Sequence, residues 1–299
     1  MGFTRSLPLL LLLRVVQGFA AGTSTIGLIL VSATSSKETL SPDIGFFQAS
    51  MTLGQLLGPL FGSMGVVALG YRGAFLAASA VLFMAFVFAS IFVPNVAPLP
   101  RKEGSSGRIT VEKQILVAWV VSFMAMVQLM FLPSVLPNVF ESFHIRHAVA
   151  LKSAGMVVML YTGTAMIGIY FWSRVSRKYG LIRMVTFLFT VGILTQILLA
   201  LVDGIVSFTL IRMLQTGMVA ATFPLVISIF AAESKGGIIG FLNSARFAGN
   251  ALGPILATSI LAWSNLPFLF LSIACLDLIV VLVFRIFFRE KGAHSPAEA

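Results

Sequence analysis

The chain has 299 residues, 58% of them hydrophobic and only 10% charged, with a mean hydropathy of +1.01; this excludes a fold whose surface mostly faces water. Its net charge of +10 would suit a nucleic-acid partner only if the lysines and arginines shared one surface. Apolar runs of roughly 17 to 25 residues, the length that crosses a bilayer as a helix, predict an all-α fold, a polytopic membrane helical bundle. Its nine predicted transmembrane helices lie at about 6–31, 43–68, 73–94, 113–138, 152–173, 181–202, 205–230, 236–262 and 266–288.

In the first run Arg14, Gln17, Gly18, Ala21 and Thr25 fall on one side at 100° per residue, a polar stripe for a cavity or for other helices. The start can also be read as a secretory signal peptide, with a basic residue, a short apolar core and small residues at its end. Arg14, in the middle of that core, argues against it. The second run carries Gly45, Gly54, Gly58, Pro59 and Gly62. Glycines four apart make a face on which a neighbouring backbone can approach closely, and Pro59 removes a backbone donor and is expected to bend the helix. Small-residue packing of this kind is common in any membrane bundle, so the stripe alone has a purely structural reading.

Pro, Gly, Ser and mixed charge between the third and fourth runs predict a flexible linker over 95–112. The seventh run repeats the polar stripe with Arg212 and Gln215. The eighth carries Arg246, Gly249, Gly253 and Pro254, and the ninth Asp277, an acid well inside a span. Arg246 and Asp277 fall at similar depth on adjacent antiparallel helices. They are expected to pair, as a fixed salt bridge or as a switch in which protonating Asp277 frees Arg246. His144 and His147 lack further metal ligands. Neither a catalytic grouping nor a phosphate loop is present, so no enzyme, metal or cofactor is expected.

Lys and Arg alternate by side. Thirteen fall in one set of loops and the C-terminal tail, four (Arg5, Arg72, Arg146 and Lys152) in the other, and Arg14, Arg212 and Arg246 inside apolar runs. Cytoplasmic loops retain the basic residues, so the C-terminus is expected inside, the N-terminus outside, and the protein in the cytoplasmic (inner) cell membrane. The positive charge is then topological, and no nucleic-acid partner is expected.

Two consecutive runs are duplicated. Arg14-x-x-Gln17 recurs as Arg212-x-x-Gln215 at an offset of 198. Ile44-Gly45-Phe46 recurs as Ile239-Gly240-Phe241, and Gly54-Gln55-x-Leu57-Gly58-Pro59 as Gly249-Asn250-x-Leu252-Gly253-Pro254, both at an offset of 195. Such blocks imply parallel repeats about an axis along the membrane normal.

On these residues the chain resembles the major facilitator superfamily of secondary transporters, and within it the drug:proton antiporters. Gly45, Gly54, Gly58, Pro59 and Gly62 match that branch's exporter motif, except that Ser63 stands where a second glycine is usual. Arg14-Val-Val-Gln17-Gly18 matches the motif of the family's fourth helix, whose arginine is implicated in proton coupling. Tyr71 to Phe75 looks like the connection into the sixth helix. The segment from Ser173 to Gly180 is a departed copy of the family's basic cytoplasmic motif, with Arg177 in the aspartate's place.

The resemblance implies family helices four to twelve, with three preceding helices expected to be missing. Residues 1–94 would be a partial N-terminal half of three helices, 95–112 a cytoplasmic linker, 113–288 a complete six-helix half and 289–299 a cytoplasmic tail. The implied function is secondary active transport, proton-coupled export of drugs or other small molecules by alternating access. A metabolite or sugar transporter of the same fold, and a truncated remnant without transport, remain alternatives. Candidate substrate or proton-coupling residues are Arg14, Gln17, Arg212, Gln215, Arg246 and Asp277; candidate hinge residues are Gly45, Gly54, Gly58, Pro59, Gly62, Gly249, Gly253 and Pro254. The expected partners are a small molecule, protons and the bilayer.

Overall fold

The computed structural model describes residue 4 and residues 6–93, 112–144, 147–231 and 236–289. All regular structure among them is helical: α1 Leu7–Ala20, α2 Thr23–Thr34, α3 Leu40–Phe92, α4 Lys113–Met130, α5 Leu132–Ser142, α6 His147–Tyr179, α7 Leu181–Leu199, α8 Ile205–Val219, α9 Thr222–Ala231, α10 Gly236–Trp263 and α11 Leu266–Arg289. Most of the linker 95–112 and of the tail 289–299 lies outside the described residues. So do Arg5, Arg101, Lys102, Arg108, Arg146, Lys235 and Lys291 of the charge pattern.

Seven described segments are long and apolar enough to span a membrane: Leu7–Thr34, Met64–Phe92, Lys113–Met130, Ser153–Tyr179, Leu181–Leu199, Ile205–Ala231 and Leu266–Phe288. The nine expected spans included two more, 43–68 and 236–262. Both regions are helical, in α3 and α10, but Gly, Pro, Ser and amide side chains dilute their apolar content.

Two compact units divide the chain. Unit 1 is Met1–Leu30 with Gly54–Arg108, and unit 2 is Val31–Leu53 with Ile109–Ala299. Residues 31–53 thus pack with the C-terminal region.

In unit 1, α1 starts with Pro8 in its first turn, where the missing N–H costs nothing. It ends at a tight turn in which Ala21 N–H donates to Gln17 O at 3.1 Å and Gly22 N–H to Phe19 O at 3.1 Å. The Thr23 hydroxyl bonds back to Ala20 O at 2.9 Å. α3 is broken at Gly70, whose φ of 68° and ψ of 173° are open to glycine and costly for other residues. Beyond that break Ala74 comes back against Gly65, where a β-carbon would meet Ala74 Cβ at 3.5 Å. Large apolar side chains of this unit stand exposed, Phe19 and Val67 among them, as lipid-facing helices allow.

Unit 2 holds the buried core. Phe131, Leu136, Phe140, Phe208 and Phe270 belong to one cluster, and Phe208 meets Phe140 and Phe270 edge-on at 6.1 Å each. Lipid offers apolar side chains as good a home as protein does, so this packing is held by fit and polar contacts. Small residues supply the fit. Gly168 of α6 lies so close to the Gly217 carbonyl of α8 that a β-carbon would overlap it, and Gly249 of α10 presses equally on Phe123 O and Met126 of α4.

The repeat is visible in helix breaks as well as in residues. α1 stops six residues beyond Arg14 and α8 seven beyond Arg212, each followed after two residues by a second helix.

Candidate functional site

The most polar point of the unit 2 core is Arg212, which is 0% exposed. An arginine inside a span is tolerated only where protein or water takes up its donors. The sequence supplies acceptors by breaking the helix opposite. Pro133 has no N–H, so the carbonyl of Leu129, four residues earlier, loses its helical partner. Arg212 Nη2 donates to that carbonyl at 2.9 Å, while Nη1 donates to Gln128 O at 3.0 Å and to Gln215 Oε1. The guanidinium carbon stands 5.0 Å from the centre of the Tyr161 ring and 5.4 Å from that of Phe131, within cation–π range.

From Gln215 the chain of bonds continues. Its Nε2 donates to Gln196 Oε1 and to Gly192 O, and Gln196 Nε2 reaches Phe270 O at 3.5 Å. Gln128 Nε2 also donates to Gly192 O, at 3.1 Å. One cation and three glutamines therefore tie α4, α7, α8 and α11 together. No carboxylate joins them among the described residues; carbonyls, amides and rings share the charge. Arg212 Nε and Gln128 Oε1 have no hydrogen-bond partner among the described residues, and the Tyr161 ring lies beside the guanidinium.

Gln128, Gln196 and Tyr161 were not singled out from the sequence. The signal was there for the two glutamines, since an amide in an apolar span needs a partner as an arginine does.

Arg14 and Gln17 repeat the local half of this arrangement in unit 1. Arg14 Nη1 donates to Gln17 Oε1 at 2.9 Å on the exposed face of α1. No further partner of Arg14 is seen among the described residues.

The expected pairing of Arg246 with Asp277 does not occur. Arg246 Nη1 donates to Gln48 Oε1 at 3.3 Å and approaches Met51 Sδ at 3.7 Å, whereas both carboxyl oxygens of Asp277, 0% exposed, are without a partner. Helix order is the reason. α11 packs chiefly on α7 and α4, and α10 chiefly on α4, so the two touch little. Asp277 shares its helix face with Ala274 and Val281, which are buried with Met124, Phe189 and Val219.

The glycines of the two repeats also differ. In α10, Gly249 and Gly253 receive α4: β-carbons there would meet Phe123 O at 2.7 Å and Phe131 N at 3.3 Å. In α3, β-carbons at Gly54, Gly58 and Gly62 would meet nothing within 4 Å, so the described residues supply no close approach at this stripe. Among the described residues no helix takes the place that α4 takes in the second copy. Pro59 and Pro254 both sit within helices, and the one non-helical residue of α3 is Gly70. Gly45 does make a close contact, since a β-carbon there would overlap the Ser173 side chain of α6. Beside it Ser41 Oγ donates to Ser173 O at 3.1 Å and lies 3.0 Å from Ser176 Oγ.

The family model "Major Facilitator Superfamily" matches residues 1–207 and 118–299. An uncharacterized MFS-type transporter, YuxJ of Bacillus subtilis (strain 168), is 24% identical over 86% of this chain and 68% of its own length. The multidrug resistance protein MdtG of Klebsiella pneumoniae (strain 342) is 23% identical over 99% of this chain and 73% of its own. Among solved structures, the human organic anion transporter MFSD10 superposes with a TM-score of 0.78 at 17% identity, covering 95% of this chain and 72% of that one. With both family matches together running from the first residue to the last, the chain belongs to the Major Facilitator Superfamily of membrane transporters.

Proposed function

We propose that this transporter exports drugs or other small molecules in exchange for protons, by alternating access. The observation that carries the reading is the Arg212 hub, a fully buried cation held by neutral partners, whose Arg–Gln bond recurs on α1 as Arg14 and Gln17. A charged side chain buried inside a span marks a functional group by default. Similarity to MdtG and the glycine motif favour export. Residues 1–94 and 113–288 act as the two moving parts and 95–112 as their cytoplasmic link, with the C-terminus in the cytoplasm.

Asp277 is the proton-exchanging carboxyl in this reading, since it is buried and has no partner to hold its charge. Gly45 with Ser41, Ser173 and Ser176, and Arg246 with Gln48, close the cytoplasmic side and part when the site opens inward.

The test is reconstitution of the full chain in liposomes. With an outward proton gradient (acid inside), ethidium uptake that collapses when the gradient is dissipated supports the proposal, and uptake that requires an inward proton gradient overturns exchange. Ethidium movement indifferent to the gradient removes proton coupling. Transport of a sugar in place of ethidium moves the protein to metabolite transport, and no movement of either removes transport by this chain.

A further inference from the structure

On the basic-loop side of unit 2, a recess of about 780 Å³ opens between the α2–α3 connection, the end of α6 and the start of α7. Lys37, Arg174, Arg177 and Lys178 line it, with Glu38 as its one acidic group. The hydroxyls of Ser41 and Ser176, 3.0 Å apart, are also in its lining. Four cationic side chains border one space, Arg174 and Lys178 with their charges also near the Tyr170 and Tyr179 rings, and no carboxylate is seen paired with them among the described residues.

The recess is built. Arg174 is held by stacking on Tyr170, its guanidinium carbon 3.4 Å from the ring centre, and by donating from Nη1 to Tyr170 O at 3.3 Å. Gly180 takes a φ of 85°, which turns the chain sharply so that α7 begins at the recess. Gly180 and Leu181 belong to the lining, and the α7 N-terminus has no side-chain cap. Uncapped amides at a helix start add a positive end and free donors. Asp43 lines a separate, smaller recess of about 360 Å³ and does not neutralise this one.

We propose that this recess binds a phosphate group, supplied by the headgroup of an anionic phospholipid of the cytoplasmic leaflet or by a soluble phosphate. Two donor classes converge there: guanidinium and ammonium groups, and helix-start amides. A phosphate oxygen accepts from each, and its charge offsets the cations. The lipid source rests on the loop assignment given above, because basic segments at a membrane surface attract anionic headgroups by about 1 kcal/mol per residue. The phosphate chemistry itself does not depend on that assignment or on transport.

The experiment is done on the full chain purified in a neutral detergent, titrated separately with phosphatidylglycerol, phosphatidylcholine and inorganic phosphate. Bound lipid is read by native mass spectrometry and stability by thermal unfolding. The expected result is saturable binding of phosphatidylglycerol over phosphatidylcholine, with a rise in melting temperature. It should weaken roughly tenfold or more in the triple variant Lys37→Gln, Arg177→Gln, Lys178→Gln. These three side chains are exposed, so folding is preserved. A control of equal charge, Lys113→Gln, Arg183→Gln, Arg285→Gln, should bind as the parent does. Saturable binding of inorganic phosphate that displaces the lipid makes the source a soluble phosphate and upholds the site. Equal loss in both triple variants, or binding of neither anion, overturns it.

Discussion

Arg212 donates from Nη1 to Oε1 of Gln215, one turn along α8, and nearly 200 residues earlier Arg14 makes the same bond to Gln17 on α1. The first is sealed in the core and the second is exposed. Buried, the guanidinium also needs the two carbonyls of Gln128 and Leu129, a planar fork that a lysine ammonium cannot reproduce. Arg212→Lys is therefore expected to cut transport at least about tenfold. Arg212→Ala should also lower the melting temperature, because each stranded acceptor costs about 1–3 kcal/mol. Arg14→Lys should leave the melting temperature of the chain unchanged. Equal thermal shifts at the two arginines would remove the distinction.

Pro133 is predicted to matter through a residue it does not touch. Restoring an N–H at 133 lets the Leu129 carbonyl close its helical bond and compete with Arg212 Nη2 for the same oxygen. Pro133→Ala should keep the helical content seen by circular dichroism while reducing transport. If transport is instead unaffected, the broken helix is not what holds the arginine.

Glycines at equivalent places in the repeat should respond differently. At Gly249 a β-carbon would press on Phe123 O and Met126 Cβ, whereas at Gly54 it meets nothing. Gly249→Ala should destabilise by about 1–3 kcal/mol through overpacking, and Gly54→Ala should stay within about 0.5 kcal/mol of the parent, as for unpacked surface positions. Thermal unfolding of the two variants side by side reads the difference.

The repeat, the helical class and the intramembrane cations were legible in the sequence because each is a property of spacing along the chain. Position along each helix is also a property of spacing, and it put Arg246 and Asp277 at a similar expected depth. Azimuth was not. Which helix faces which is decided by contacts such as Gly168 with Gly217 and α4 with Gly249, and these place α4 and α7, rather than α10, against the Asp277 face of α11. The glycine stripe of α3 illustrates the same limit: its spacing says that a close approach is possible, and only a neighbouring backbone makes it happen.

The separation of Arg246 from Asp277 carries a prediction that a salt bridge would contradict. Partners in one ion pair are coupled, so the double variant differs from the sum of the singles by roughly 0.5–3 kcal/mol. Here Arg246 bonds to Gln48 and Asp277 to no described group. Arg246→Gln and Asp277→Asn should then add in stability to within about 0.5 kcal/mol. Asp277→Asn keeps the shape of the side chain and leaves its buried site without a charge to accommodate, so its stability should match or exceed that of the parent. In the same variant proton-driven transport should be lost while downhill movement of the substrate persists, because the asparagine has no proton to exchange. Arg246→Gln, acting on the contact with α3, should change the rate of transport and leave its dependence on the proton gradient in place. A strong non-additive term would restore the ion pair, and intact proton coupling in Asp277→Asn would remove Asp277 from the coupling route.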